Sequence, residues 1–232
     1  MNKFIFDVDG TLTPSRRLMD AEFKSYFLKV IEQFDVFLVT GSDYAKTVEQ
    51  CGQDICESVN AVYNCSGSEK WISGECVVTT EWMMERQPFQ WLEKRLQYSK
   101  FPLRTGNHYE HRTGMMNFSI VGRNANKKQR QQYVEWDTKV GERNLIADKF
   151  NEFWLDLEAR PGGETGIDIG PKGSNKSQIL KDFNQTDNLI FFGDRMDEQG
   201  NDFPLSNAIV HGVNHHVSDW QDTMKILQEN YL

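Results

Sequence analysis

Two aspartates near the amino terminus have the spacing and the neighbours needed for phosphoryl chemistry. Asp7 and Asp9 follow the apolar run Phe4-Ile5-Phe6 and precede Gly10. Because alternate residues of a strand project to one side, both carboxylates start on a shared face, and Gly10 then permits a sharp turn. One carboxylate can attack phosphorus and the other can move a proton, provided that a divalent cation suppresses charge repulsion. An acidic turn is the alternative, although a turn alone does not require Asp7.

Three residues farther along the chain could complete such a site. Ser42 follows a second apolar strand, where its hydroxyl and the amides of the next helix could hold a phosphoryl oxygen; helix capping is the alternative. Lys176 begins a predicted helix and would neutralise the aspartate and its phosphate, although a solvated lysine is an equal alternative. Asp194 ends the apolar run Phe191-Phe192-Gly193. It is therefore expected to be the third oxygen ligand, with Asp7 and Asp9, of a Mg²⁺ ion.

The loop after Asp194 is expected to support this metal site. Asn201 and Asp202 follow Gly200 in the sequence. Their side chains would orient the residues that hold the ion.

Three arginines in the middle of the chain suggest a site for a second anion. Arg112, Arg123 and Arg130 fall within nineteen residues of a chain whose net charge is −8. The planar guanidinium group matches the oxygens of a phosphate, so this clustering favours phosphate binding. The alternative is a set of surface arginines on a strand and a helix.

The composition is that of an ordinary globular protein. The chain has 232 residues, 38% of them hydrophobic and 26% charged, which suffices for one large core or two domains. Its net negative charge argues against nucleic-acid and membrane partners, and the absence of a targeting signal or a long apolar span predicts a cytoplasmic protein. The four cysteines lack metal-binding spacing and are predicted to be reduced thiols.

Helix and strand patterns alternate along the chain. Helices are predicted at residues 20–34, 44–51, 81–98 with an interruption at Pro88, 127–139, 142–154, 175–183 and 219–231. Strands are predicted at residues 4–6, 35–40, 61–63, 116–121, 165–169 and 189–192, with a hairpin over 70–78 and a solvated loop at His215-His216. The alternation predicts an α/β fold with a doubly wound parallel-sheet core, residues 1–79 and 172–232. Residues 80–171 are predicted to form an inserted α+β cap.

The first motif resembles a known superfamily. Phe6-Asp7-Val8-Asp9-Gly10-Thr11-Leu12-Thr13 looks like the first motif of the haloacid-dehalogenase-like phosphotransferases, in their phosphatase and mutase branches. Ser42, Lys176 and Asp194 follow in the order of that superfamily. The resemblance implies that Asp7 is the nucleophile and that Asp9 is the general acid and base.

The predicted cap resembles one family within that superfamily. Arg112-Thr113-Gly114-Met115-Met116-Asn117-Phe118-Ser119-Ile120-Val121-Gly122-Arg123, with Arg130, is similar to the cap signature of the eukaryotic-type α-phosphomannomutases. The resemblance implies that Arg112, Arg123 and Arg130 bind the distal phosphate of a sugar phosphate. It also implies that Asp168 binds sugar hydroxyls and that Arg16 contacts ligand. Gly166 stands where the family usually carries a phosphate-binding serine.

The family resemblance predicts a complete reaction. Mannose 1-phosphate and mannose 6-phosphate would be interconverted through a Mg²⁺-dependent aspartyl-phosphate on Asp7, with a hexose 1,6-bisphosphate as activator. A small hexose phosphate would be the partner, the cap could form a homodimer, and the product would serve GDP-mannose biosynthesis. Two alternatives remain: a sugar-phosphate phosphatase with the same cap, and a catalytically inactive sugar-phosphate sensor, which would not need Asp7.

Overall fold

The computed structural model describes residues 2–198 and 200–232. Contacts within the chain divide it into two compact units. The first unit joins the segment that ends at Thr79 to the segment Ser174–Leu232, and the second is Thr80–Gly173. Each unit has its own β-sheet and its own hydrophobic core.

The first unit contains a seven-stranded sheet in the order β11-β10-β1-β2-β3-β4-β5. The strands from β11 to β3 are parallel, and the hairpin β4–β5 continues the sheet in antiparallel pairing. Their bounds are β1 Asn2–Phe6, β2 Asp35–Val39, β3 Ala61–Asn64, β4 Glu69–Ile72, β5 Glu75–Thr79, β10 Asn188–Gly193 and β11 Gly212–His216.

Helices cover both faces of the parallel strands. They are α1 Ala21–Gln33, α2 Tyr44–Cys51, α3 Gln53–Ser58, α7 Phe203–Ala208, α8 Trp220–Asn230 and a 3₁₀ helix at Lys176–Asp182. On β1, Phe4 and Phe6 belong to the core cluster that includes Phe27 of α1, whereas Ile5 belongs to the cluster with Ile179 and Leu205. Successive side chains of one strand therefore enter opposite core layers, as a doubly wound sheet requires.

The second unit is a four-stranded antiparallel sheet with three helices. The helices are α4 Arg86–Tyr98, α5 Lys127–Val140 and α6 Glu142–Phe153. The strands are β6 Tyr109–Arg112, β7 Met115–Phe118, β8 Leu157–Gly162 and β9 Gly166–Pro171, in the order β6-β7-β9-β8. Met116 and Ile169 are paired across the sheet and pack in one core with Leu92, Tyr133 and Phe150 of the helices. Since strand side chains alternate, the intervening residues occupy the opposite face.

Several predicted elements have different limits in the structure. The helix expected from residue 81 begins at Arg86, and Pro88 lies in its first turn, where a missing N–H costs little, rather than interrupting it. The strand expected over 116–121 ends at Phe118. The helix expected over 175–183 is a 3₁₀ helix that begins at Lys176.

The predicted loop at His215-His216 was wrong, because both residues lie in β11, at the edge of the sheet. His215 stacks on Phe192 and its Nε2 lies 2.8 Å from the Tyr231 hydroxyl. None of the helices in the described part of the chain is both long and apolar enough to cross a membrane.

Candidate active site

The first unit brings several of the predicted site residues to one edge of the parallel sheet. Phe6 of β1 is in register with Phe192 of β10 and Leu38 of β2, so the residues that follow these strands emerge side by side. Asp7, Asp194 and Ser42 all lie beyond these carboxyl ends, which is where open α/β sheets bind ligands. The topology therefore brings three of the predicted residues to one edge.

A buried lysine joins two aspartates in this cluster. The Lys176 ammonium group donates to Asp7 Oδ1 and, at 2.6 Å, to Asp202 Oδ1. The side chains of Lys176 and Asp202 are 0% exposed and that of Asp7 is 3% exposed. The 3₁₀ helix places Lys176 at its first residue, preceded by the Asn175 cap. Lys176 is therefore an internal partner of Asp7 and not a solvated helix lysine.

Negative charge exceeds positive charge in this cluster. Carboxylate oxygens of Asp7, Asp194 and Asp202 lie within 4.8 Å of one another around one lysine. Burial raises the pKa of Asp7 to about 8, Lys176 opposes that rise, and the neighbouring acids add to it. Burial also raises the pKa of Asp194, with a further contribution from Asp202. Burial alone would lower the pKa of Lys176, but Asp202 and Asp7 together raise it.

These carboxylates fit a hard divalent cation. Three oxygen donors with an excess of negative charge are the ligand set that Mg²⁺ prefers. Gly10 adopts a φ of +84°, and a Cβ at this position would collide with the Asp194 carboxylate. Glycine is thus required both for the turn and for the close approach of Asp194.

Asp202 belongs to the acidic cluster and also holds two other parts of the fold in place. Its Oδ1 accepts from Lys176 and its Oδ2 accepts from the Arg195 amide at 3.0 Å, so it holds both the lysine and the loop after β10. Asn201, which was expected to help orient the metal ligands, is exposed. The sequence singled out Asp202 but not its bond to Lys176, because that contact forms only in the fold.

Asp9 is held by two donors on one oxygen. Its Oδ1 accepts from the Arg16 backbone amide at 2.6 Å and from Gln50 Nε2 at 2.9 Å. Arg16 has a φ of +57° and an exposed side chain. Arg16 therefore contacts Asp9 through its backbone, a contribution that the sequence did not suggest.

Ser42 lies beside the first turn of α2 and does not cap that helix. The cap is Asp43, whose carboxylate accepts from the Lys46 amide at 2.8 Å. The Ser42 amide donates to Thr40 Oγ1, and its carbonyl accepts from Asn64 Nδ2 at 3.0 Å. Backbone contacts thus fix the position of Ser42.

The second unit carries its polar residues on the sheet face opposite the helices. Glu110 is in register with Asn117, and Asn117 is in register with Asp168, so these three residues form a row across β6, β7 and β9. The Asn117 amide donates to Asp168 Oδ1 at 2.6 Å and accepts from Arg123 at 3.2 Å. Burial raises the pKa of Asp168, although the bond from Asn117 lowers it.

Each predicted phosphate-binding arginine has an acidic partner in this unit. Arg112 contacts Glu110 at 2.9 Å, and Arg123 contacts the other oxygen of the same carboxylate. Arg130 donates from Nε and Nη2 to Glu164, whose side chain is 68% exposed. Burial alone would raise the pKa of Glu110, but Arg112 and Arg123 outweigh it and hold that pKa below its usual value. The structure thus joins Arg112, Arg123 and Asp168 in one network, with Arg130 in a separate ion pair.

Two glycines make room for this network. A Cβ on Gly162 would collide with the Asp168 carboxylate, and a Cβ on Gly166 would collide with the Asn117 amide. At the position where related caps were expected to carry serine, this chain therefore places the amide of Asn117 against the backbone. Glu110 and Asn117 were not among the predicted site residues. The Glu110-x-Arg112 spacing was the available signal, because residues two apart on a strand share a face.

Comparison with known proteins identifies the family. A family model described as eukaryotic phosphomannomutase matches residues 23–232. The chain belongs to this family. Phosphomannomutase of Spinacia oleracea is 30% identical over 98% of this chain and 95% of its own length, and phosphomannomutase 1 of Homo sapiens is 29% identical over 97% and 90%. The family match begins after Asp7 and Asp9, whereas the spinach comparison spans nearly the whole chain.

Solved structures agree with the fold. An IMP-nucleotidase of Plasmodium falciparum superimposes with a TM-score of 0.67 and 15% identity, over 98% of this chain and 67% of that one. The sucrose-phosphatase of Synechocystis superimposes with a TM-score of 0.59 and 12% identity, over 98% of each chain. At such identities the similarity extends to the fold alone, which is the haloacid-dehalogenase-like α/β fold expected from the sequence.

Proposed function

We propose that this protein is a phosphomannomutase that interconverts mannose 1-phosphate and mannose 6-phosphate. The observation that carries the proposal is the cluster of Asp7, Lys176, Asp194 and Asp202 at the carboxyl edge of the sheet, in which all but the half-buried Asp194 are buried. Membership of the phosphomannomutase family supports the choice of substrate. Hexose 1,6-bisphosphate is the proposed activator, because a mutase of this type needs a phosphoryl donor to load its nucleophile.

In the proposed reaction, Asp7 attacks a phosphorus atom of the bisphosphate through its carboxylate oxygen. The bond between that phosphorus and the sugar oxygen breaks, Asp9 gives its proton to the departing oxygen, and Asp7 becomes an aspartyl-phosphate. A monophosphate then gives the proton of its free hydroxyl to Asp9 and attacks the aspartyl-phosphate, which restores Asp7. Lys176 contributes a fixed positive charge next to Asp7.

Mg²⁺ is the proposed cofactor. Asp7 and Asp194 would hold it, Asp9 would supply a further oxygen ligand, and Asp202 lies close by. The ion would neutralise charge on the transferring phosphoryl group. Because the ligands are hard oxygens, a chelator should abolish activity, added Mg²⁺ should restore it and Zn²⁺ should be a poor substitute. Full activity in excess chelator would contradict the metal assignment.

The unit Thr80–Gly173 is proposed to be the substrate-binding cap. Arg112, Arg123 and Arg130 would bind the phosphate that is not being transferred, Asp168 would bind sugar hydroxyls, and Arg16 would also contact the ligand. The clustering of Arg112, Arg123, Asn117 and Asp168 on one face of the antiparallel sheet supports this assignment. Ser42 is proposed to bind an oxygen of the transferring phosphoryl group.

Homodimerisation through the cap and a cytoplasmic location stay predictions. Large apolar side chains of the second unit are exposed on and after α6, with Leu145 58% and Phe153 63% exposed. Such side chains would lose their contact with water in a dimer. The oligomeric state is measurable by light scattering during gel filtration.

A single assay tests the proposed function. Purified protein is incubated with mannose 1-phosphate, Mg²⁺ and a trace of hexose 1,6-bisphosphate, and the formation of mannose 6-phosphate and free phosphate is followed. The proposal predicts mannose 6-phosphate as the main product, with a rate that depends on the bisphosphate. Release of free phosphate alone would support the phosphatase alternative, and binding without turnover would support a sensor.

A further inference from the structure

Gln50, the penultimate residue of α2, contacts Asp9 from outside the loop that follows β1. Its side chain is inside the protein, with 2% of the residue exposed. Its Nε2 donates to Asp9 Oδ1 at 2.9 Å and to Thr13 Oγ1 at 3.1 Å, which uses both of its hydrogens. Gln50 thereby connects α2 to both ends of the turn that contains Asp9.

The hydrogen-bond network fixes the orientation of the Gln50 amide. Thr13 Oγ1 donates to the Val8 carbonyl at 3.3 Å, so it must accept from its other neighbour. Turning the amide over would point Oε1 at the Asp9 carboxylate, and two acceptors would then face each other. Only one orientation gives Asp9 and Thr13 the donor that each requires.

This arrangement carries a cost in stability. In the described part of the chain, Gln50 Oε1 is buried and has no hydrogen-bond partner. A buried acceptor without a partner destabilises a fold, and an apolar side chain of similar size would avoid that penalty. A glutamine at this position is therefore explained by the two donors that it supplies.

We propose that Gln50 is a positioning residue that selects which oxygen of Asp9 exchanges the proton with the substrate. The Arg16 amide and Gln50 Nε2 both donate to Oδ1, so that oxygen is occupied and Oδ2 is the one that remains for the proton. In the transfer step the proton leaves Asp9 Oδ2 for the departing oxygen as the bond between oxygen and phosphorus breaks. The inference rests on the proposed role of Asp9 as general acid and base.

Leaving groups of different basicity provide the test. Phenolate leaves poorly without a proton, whereas para-nitrophenolate leaves well without one, and both aryl phosphates can load Asp7. The value of kcat/KM reports the steps up to release of the aryl group, so it isolates this first transfer. The variant Gln50→Leu should lower kcat/KM for phenyl phosphate by roughly ten- to a hundredfold, within what general acid catalysis contributes. For para-nitrophenyl phosphate it should change less than about threefold.

A matched variant separates positioning from general loosening of the helix. Thr47 lies on α2 and is buried; its hydroxyl donates to the Asp43 carbonyl and accepts from Asn64 Nδ2, and the structure gives it no hydrogen bond to Asp9. Thr47→Val should leave the ratio of the two kcat/KM values at that of the parent protein, even if its melting temperature falls. Equal losses with both substrates in Gln50→Leu, or an equal change of the ratio in Thr47→Val, would overturn the positioning role.

The parent protein and Asp7→Asn distinguish this inference from the proposed function. If the parent releases phenol in an Asp7-dependent reaction and Gln50→Leu leaves the ratio unchanged, the inference on Gln50 fails and the function stands. If the parent and Asp7→Asn release phenol equally, the nucleophile assignment fails and the inference on Gln50 fails with it.

Discussion

The two units both concentrate charge, but they do so under opposite conditions. In the first unit three aspartates surround Lys176, and the side chains of Lys176 and Asp202 are completely buried. In the second unit arginines share carboxylates at the surface, where Arg112 is 34% and Glu110 is 35% exposed. Breaking a contact in the buried set would cost a large free energy, so that set is rigid. In the second set solvent screens the charges, so its ion pairs can rearrange at a small free-energy cost.

This difference suits the two tasks proposed for them. A group that carries a covalent phosphoryl group must keep its geometry through every turnover, and burial of Asp7 and Lys176 enforces that. A site that binds and releases the other phosphate must exchange one anion for another, and Glu110 is an anion already in contact with two arginines. The first unit therefore has excess negative charge that a cation could neutralise, and the second unit has arginines that could bind the proposed anion.

The largest effect is expected from Asp7→Asn. The change removes the nucleophile and a proposed metal ligand with little change of shape, so phosphoryl transfer should fall to background. Lys176 keeps Asp202 as a partner, and the excess of negative charge decreases, so the folded state should keep its stability. Mutase turnover and the melting temperature should be measured together. More than trace activity with Mg²⁺ present would contradict the covalent mechanism.

Arg123→Ala should separate function from stability in the second unit. Loss of one charge-assisted contact to phosphate is worth about 1.5–3 kcal/mol, or roughly ten- to a hundredfold in mutase kcat/KM. The partly exposed ion pair with Glu110 contributes only about 0–1 kcal/mol to folding, so the free energy of unfolding should change little. Hydrolysis of para-nitrophenyl phosphate, which has no second phosphate, should be nearly unchanged.

The control for that variant is Arg86→Ala, which removes an exposed arginine from the first residue of α4. It should leave both activities unchanged. Equal losses of mutase and aryl phosphatase activity in Arg123→Ala would remove the support for a distal phosphate site at this residue.

A smaller effect, a decrease of the KM for hexose 1,6-bisphosphate, is expected from Glu110→Gln. The substitution removes the negative charge that Arg112 and Arg123 share and leaves their positive charge for the ligand. The KM for hexose 1,6-bisphosphate should fall about two- to fivefold, the factor that corresponds to a half-exposed ion pair. Glu152→Gln, which removes the partner of Lys149 on α6, should leave that KM unchanged. A rise of KM in Glu110→Gln would show that Glu110 orients the arginines rather than competing with phosphate.

The same contrast between buried and exposed regions explains how far the sequence could predict the fold. Strands β1, β2 and β10 are buried on both faces, so they appear in the sequence as short apolar runs such as Phe4-Ile5-Phe6. Strands β6, β8 and β11 were not predicted, because they are partly exposed and carry polar residues and Pro161. The hydrogen bonds that define these strands come from their neighbours in the sheet and not from their own composition.

The candidate site shows the same division between local and long-range information. Asp7 and Asp9 form a local pattern that the sequence displays directly. Gln50 contacts Asp9 across 41 residues of sequence, and Asp202 contacts Lys176 across 26 residues. Glutamine and aspartate are common in any helix or loop. Only the packing of α2 and of the 3₁₀ helix against the sheet edge brings them into contact. A polar residue on the buried face of α2 was the one available hint for Gln50.

The smallest effect concerns His215 at the edge of the first unit, outside both charged clusters. Burial against Phe192 lowers the pKa of His215, so the unfolded chain binds a proton at a higher pH than the folded one. The stability that this histidine contributes is therefore complete above its ordinary pKa and is lost as the pH falls through the lowered value. Between about pH 7.5 and about pH 5.5, the parent protein should lose more stability than His215→Gln, whose amide can still bond to the Tyr231 hydroxyl. Denaturant unfolding at both pH values measures the two slopes. If the parent protein and His215→Gln lose the same unfolding free energy between the two pH values, protonation of His215 does not oppose folding. The imidazole would then be as well solvated at the sheet edge as in the unfolded chain.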